Sequence, residues 1–389
     1  MTYDFDKVID RKGTNSIKYD FAKERGKPED ILPLWVADMD FPAPPQVLAD
    51  IQKVVSHGIF GYTDVKDDYH EALNGWFKER FDFPVTKEET VKAPGVVFAL
   101  AVAIRAYTAP GDSVMVQTPV YYPFYSVVRD NGRELVKNPL IYKDGKYTID
   151  FEDFERKTAE RKVKLFILCS PHNPVGRVWT RSELETMNDI CQRHGVIIIS
   201  DEIHCDFIYD GHIHTVFGCL NENAVICTAP SKTFNLAGLQ VSNLFIKNTE
   251  LRRKLESEIN RSGYSQLNTI GLAACESAYR HGGEWLKQLM VYLAENINFT
   301  RNFLSDKLPK IKLAEPEGTY LLWLDCRELG LSQSELDNLI IQKAKLWLSS
   351  GTVFGEDGSG FQRINIACPR STLETALSRL VTGIRANSK

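Results

Sequence analysis

The sequence predicts an α/β fold: a mostly parallel central sheet with helices on both faces, followed by a smaller α+β domain. Three observations carry this. Short, continuously apolar strand-like runs alternate with helical stretches from about residue 114 to 246, and continuously apolar strands belong to parallel sheets covered on both sides. The pattern changes after one long helix near residue 308, where a β-α-β-α tail begins. At 389 residues the chain is long for one domain, with 43% hydrophobic and 25% charged residues.

Residues 1 to about 30 are polar and mixed, and read as an N-terminal arm. The run from Leu32 to Pro42 is apolar, carries two aspartates, and is stopped as a helix by its prolines. Helical patterns follow at Pro45 to Ser56 and Asp67 to Arg80, with a turn bearing Tyr62 between them. Ala93-Pro94-Gly95 opens a long apolar helix from Val96 to Tyr107. A helix start of this kind offers free N–H groups and a positive dipole end to an anion. The strands are Val114 to Gln117, Leu165 to Cys169, Val196 to Ser200, Ala224 to Thr228 and Val241 to Ile246. Thr180-Arg181-Ser182-Glu183 is a capping box for the helix running to His194. Helices cover Thr249 to Ile259, Asn268 to Arg280 and about Glu284 to Leu308. The tail reads as a strand at Gly318 to Asp325, a helix at Ser334 to Lys345, a strand at Gln362 to Ala367 and a helix from Ser371 to Arg385. Gly351 to Gly360, with its glycines, is expected to be a mobile loop. The domains expected are an arm at 1–45 that joins the small domain, a large domain at 46–287 and a small domain at 288–389.

Composition narrows the function. The net charge is −4 and the basic residues are scattered, which gives no nucleic-acid footprint. The longest apolar run, Val96 to Ile104, is far short of the ~18 residues that span a membrane. The eight cysteines form no C-x-x-C pair, and no metal-ligand spacing occurs. The acidic N-terminus does not resemble a signal peptide. A cytoplasmic protein without membrane or nucleic-acid partners is expected.

Ligands of such sheets bind outside the carboxyl ends of the strands. Asn173, Asp201 and Lys232 follow three separate strand ends and would converge on one crevice, near the helix start at Gly95. No G-x-G-x-x-G and no G-x-x-x-x-G-K-[ST] occurs. A lysine that forms a Schiff base, a carboxylate for a pyridine nitrogen and a helix N-terminus for a phosphate fit pyridoxal 5'-phosphate.

Ser231-Lys232-Thr233-Phe234-Asn235, Asn173-Pro174-Val175-Gly176 and Asp201-Glu202-Ile203-His204 resemble the type I, aspartate-aminotransferase-fold pyridoxal-phosphate enzymes of the class I/II aminotransferase superfamily. Trp35 to Phe41, Asp201 to Asp206 and Asn365 to Arg370 resemble its C–S β-lyase branch, the cystathionine β-lyase and cysteine desulfhydrase-like enzymes. The resemblance runs in order over nearly the whole chain. It implies α,β-elimination from cystathionine, cysteine or related S-conjugates to pyruvate, ammonia and a thiol or sulfide. An aminotransferase, or a cofactor-binding protein with a regulatory partner, is the alternative.

By this resemblance Lys232 is the Schiff-base residue and proton shuttle, and Asp201 the partner of the pyridinium. Asn173 and His204 flank the cofactor's phenolic oxygen, although His204 also reads as a structural histidine. Tyr121 stacks on the ring, with Tyr122 the competing choice. Val96 and Val97 offer backbone amides to the phosphate, joined by Ser231. Tyr62 reaches the site of the neighbouring subunit of a homodimer. Arg363 holds the substrate α-carboxylate with a bidentate fork, whereas Arg370 reads as a structural ion pair. Two departures are noted. Ala229 stands where relatives have a phosphate-binding serine, and Gln240 where many have an arginine.

Overall fold

The computed structural model describes residues 2–387. Its centre is a seven-stranded sheet: β1 (Thr90–Ala93), β2 (Ser113–Thr118), β3 (Glu134–Pro139), β4 (Val163–Cys169), β5 (Ile197–Asp201), β6 (Val225–Thr228) and β7 (Ser242–Phe245). The spatial order is β1-β7-β6-β5-β4-β2-β3, with β7 antiparallel to both neighbours and the others parallel. The mostly parallel sheet is therefore as expected.

Alternation along the strands builds two apolar layers. Val114, Val116, Leu165, Ile167, Ile199 and Val225 pack with the helices Val96–Tyr107 and Thr249–Arg261. Met115, Phe166, Leu168, Ile198 and Ile226 face the other way, toward Leu184, Met187 and Phe77. Every residue of β2 and of β6 is buried. The helix Arg181–Arg193 begins at the expected capping box, with Thr180 and Glu183 bonding reciprocally.

The edge strands β1 and β3 and the helix Phe151–Glu160 were not expected from the sequence. Their half-exposed, charge-bearing patterns lack the continuous apolar signal of the inner strands. The long helix, Gly283–Lys307, leads to a second, antiparallel sheet. Its strands are β8 (Lys312–Leu313), β9 (Leu321–Asp325), β10 (Ser349–Ser350) and β11 (Phe361–Asn365), in the order β8-β9-β11-β10. Leu32–Pro33 of the arm pairs in parallel with Leu346–Trp347.

Two local expectations change. Ser334 to Lys345 is not one α-helix: Gln333–Asn338 is α-helical and Leu339–Lys343 widens into a π-turn. The Gly351 to Gly360 stretch is built, not loose. It forms two short 3₁₀ turns, Gly351–Phe354 and Glu356–Gly358. Phe354 is fully buried, and its carbonyl accepts from the amide of Val120 and the hydroxyl of Tyr125. The glycines permit backbone to meet backbone: a Cβ on Gly351 would lie 1.9 Å from the carbonyl oxygen of Gly358.

Candidate active site

Strand register brings the polar groups together. Cys169 is paired with Asp201, and Asp201 with Cys227, so β4, β5 and β6 end side by side. Asp201 is the last residue of its strand. Asn173 lies four residues past the end of β4. Lys232 lies four past the end of β6, within a one-turn helix, Pro230–Thr233. Its Nζ donates to the carbonyl of Ala37 at 2.7 Å.

That turn is held from both sides. Thr233 Oγ1 donates to Asp206 Oδ2 at 2.7 Å, and Asp206 Oδ1 accepts from Arg80 Nε at 2.9 Å. The Arg80 guanidinium lies over Trp76, whose ring meets Phe234 edge-on. On the other side Asn235, at φ 58°, accepts from the Met39 amide and donates to the carbonyls of Met39 and Phe41.

A cavity of about 450 Å³ is lined by Lys232, Tyr121, Tyr122, Arg363, Trp35 and Trp347 among others. Arg363 is 4% exposed; its guanidinium donates to Asn173 Oδ1 at 2.8 Å and to the carbonyl of Trp35 at 2.7 Å. Its Nε is buried without a partner. Burial pushes the Lys232 amine down to about 8, with the positive charge of Arg363 adding to the effect. Asp201 accepts one hydrogen bond, from the amide of Ile203, and burial raises its carboxyl to about 7 against the bond and the nearby Lys232. Burial, with Lys232 and Arg363, holds His204 well below the ordinary imidazole value, and its Nδ1 has no partner. It packs edge-on against Tyr320.

Of the two tyrosines, Tyr121 is the inner one. Burial raises its phenol to about 12, and it senses both Asp201 and Arg363. Tyr122 is 47% exposed, with its ring 5.4 Å from that of Tyr121. Val96 and Val97 open the helix Val96–Tyr107 behind Gly95, whose φ of 151° suits glycine. Amides in this position have no carbonyl within the helix to accept them. Ser231 sits in the Lys232 turn. Thr228 is committed elsewhere, its hydroxyl bonded to the carbonyl of Asn243 inside the sheet, and Ala229 is buried. Gln240 is exposed at a left-handed turn. Tyr62 does not line the Lys232 cavity; it is 98% exposed beside Phe60 and Tyr264. Among the described residues Arg370 forms no ion pair. It bonds Asn296 Oδ1 at 2.7 Å and lies over Phe299, so its place is structural but the expected charge partner is absent among the described residues.

The sequence marks Trp35 to Phe41 as a branch motif but gives it no place at the site; in the structure it is a strap that the two sheets hold between them. Ala37 O accepts from Lys232 and from the Tyr320 hydroxyl. Asn365 Nδ2 donates to the carbonyls of Val36 and Asp38. Asp38 and Asp40 are clamped by Arg11 and the fully buried Lys18. The two aspartates in an apolar run were the available signal, since buried carboxylates require cations.

The constellation fits pyridoxal phosphate on structural grounds. A buried carboxyl with one donor and a neutral histidine whose Nδ1 has no partner both lie near enough to Lys232 to feel its charge, the lysine itself has a lowered pKa, and a helix start with free amides opens at Val96. These are the complements of a ring nitrogen, a phenolic oxygen, an aldehyde and a phosphate.

The chain belongs to the class I and II aminotransferases: the model of that family, "Aminotransferase class I and II", matches residues 29–380. Within it, the chain is 45% identical over 380 residues to cystathionine beta-lyase PatB of Bacillus subtilis, covering 97% of this chain and 98% of that protein. Among solved structures, a PLP-bound putative aminotransferase from Clostridium difficile 630 superposes with a TM-score of 0.96 at 43% identity, covering 98% of this chain and 100% of the other. Cystalysin from Treponema denticola, which contains a pyridoxal 5'-phosphate cofactor, gives 0.96 at 36% identity, with both chains covered in full.

Proposed function

We propose that this protein is a pyridoxal-phosphate-dependent carbon–sulfur β-lyase. It cleaves cystathionine, cysteine or related cysteine S-conjugates to pyruvate, ammonia and a thiol or sulfide. The site residues serve transamination and elimination alike; what carries the lyase reading is the 45% identity, over nearly all of both chains, to a cystathionine beta-lyase.

When bound, the cofactor supplies an electron sink for charge left at the substrate's α-carbon. Lys232 would hold the cofactor and then, released, take the α-proton; at about 8 its amine loses its proton far more readily than an ordinary lysine near neutral pH. Asp201 would pair with the ring nitrogen and keep it protonated. Tyr121 would lie on the ring face, with Asn173 and His204 at its edge. The amides of Val96 and Val97, with the Ser231 hydroxyl, would take the phosphate in place of the side chain that Ala229 lacks. Arg363, already bonded to Asn173, would take the substrate α-carboxylate. A thiolate leaves readily because its conjugate acid has a pKa near ~8.5.

We further propose a homodimer in which Tyr62 completes the neighbouring site, and the domain limits 1–45, 46–287 and 288–389. A reducing, cytoplasmic setting suits eight unpaired cysteines, all but Cys219 buried; no described helix is long and apolar enough to cross a membrane.

The test is pyruvate release from cystathionine or an S-alkylcysteine without added keto acid. Catalytic pyruvate, abolished in Lys232→Ala, is the expected result. Stoichiometric conversion of the cofactor without pyruvate, with turnover only when a keto acid is supplied and the C–S bond kept in the product, would establish an aminotransferase instead.

A further inference from the structure

The cavity that holds Lys232 and Arg363 extends to a second group of cations, Arg25 and Lys27. Trp35 and Trp347 lie between, stacked 4.6 Å apart at 14°. Arg25 sits over the Trp35 ring at 5.2 Å, and Lys27 over the Trp347 ring at 5.8 Å. The indole faces therefore hold both cations at the rim. Neither forms an ion pair with a carboxylate among the described residues. Asp337 is the one carboxylate in the lining, and its oxygens are occupied. Oδ1 accepts from Gln333 and Gln362, and Oδ2 from Ser350. The rim thus carries two positive charges with no ion-pair partner among the described residues, against the single negative charge of Asp337, whose oxygens are turned to neutral donors; the arginine at the inner end suits an α-carboxylate.

We propose that Arg25 and Lys27 form an anion-selecting rim, so that the preferred cysteine S-conjugates carry a carboxylate at the far end of the leaving thiol. This rests on the lyase reading and assigns its substrate class. The α-carboxylate is held at Arg363 while the distal carboxylate lies against Arg25 and Lys27. The edges of the stacked indole pair, whose faces are covered by each other and by the two cations, provide the apolar border along which the thioether chain runs. Because Arg25 is exposed and Lys27 half-buried, the selection is moderate in size and weakened by salt.

The experiment compares S-(2-carboxyethyl)-L-cysteine with S-(2-carbamoylethyl)-L-cysteine, which match in length and differ in charge. Pyruvate formation by the holoenzyme at low salt gives kcat/KM for each. The carboxylate is expected to be preferred about fivefold, the size given by two partly screened cations. The ratio should approach one in Arg25→Gln/Lys27→Gln and persist in Arg25→Lys/Lys27→Arg. Equal kcat/KM in the unmodified enzyme, or a preference that survives the double glutamine variant, overturns the rim and leaves the lyase standing. Pyruvate from cystathionine but from neither compound overturns the rim alone; pyruvate from none of the three overturns both.

Discussion

Asp201 and Lys232 are held by burial on the less charged side of their ordinary behaviour, and this has a consequence for the cofactor-free protein. The Asp201 carboxyl stands at about 7 in the folded chain against 3.8 ordinarily. The folded state therefore keeps a proton that the unfolded state has lost, and this group's contribution to stability declines as pH rises from about 4 through 7. Lys232 stands at about 8 against 10.5, so its contribution recovers only as pH rises from about 8 to 10.5. In Asp201→Asn the first slope disappears. Urea midpoints of the cofactor-free proteins, measured from about pH 4.5 to 7, should shift increasingly in favour of the asparagine variant. A difference that does not change with pH would contradict this origin of the raised carboxyl.

The element that matters most is the four-residue turn Pro230–Thr233. A helix this short cannot stabilise itself, so the direction of Lys232 is set by what grips the turn. Thr233, Asp206 and Arg80 form that grip on one side, and Asn235 on the other. Thr233→Val leaves Asp206 Oδ2 buried without its hydroxyl donor. The expected cost is about 1–3 kcal/mol by urea unfolding. A severalfold fall in kcat with little change in KM should accompany it, because the amine is displaced while Arg363 is untouched. Thr233→Ser should restore both. A valine variant with normal stability and kcat would show that the turn is held by other contacts.

On the scale of the whole molecule, the two sheets meet across the Trp35 to Phe41 strap, which joins Lys232 to Tyr320, Asn365 and Arg363. One surface is left open. Tyr62 is 98% exposed, with Ile59 and Phe60 also largely exposed nearby. If Tyr62 serves the site of a second copy, mixing two weak variants regains activity. In a hybrid of Tyr62→Phe with Lys232→Ala, one site combines an intact Lys232 with an intact Tyr62. Refolded mixtures should exceed the summed activity of the separate variants. Strict additivity would place Tyr62 outside the neighbouring site.

Much of this was legible in the sequence because inner strands buried on both faces must be continuously apolar, and polar residues at their carboxyl ends have one crevice to face. Asn173, Asp201 and Lys232 could be singled out on that ground and the Gly95 helix start on its free amides, and motif resemblance added Arg363 and Tyr121. The edge strands Thr90–Ala93 and Glu134–Pro139 escaped because half-exposed strands mix polar and apolar residues. Tertiary structure alone decided which tyrosine lies inside. It also turned the glycine-rich 351–360 stretch into packed turns, left Arg370 without a charge partner among the described residues and placed Arg25 and Lys27 in the lining of the Lys232 cavity. These depend on contacts between residues far apart in the chain, such as Lys27 with Trp347, Phe354 with Val120 or Arg370 with Asn296. Local pattern records whether a residue will be buried; only the packed chain determines what it meets there.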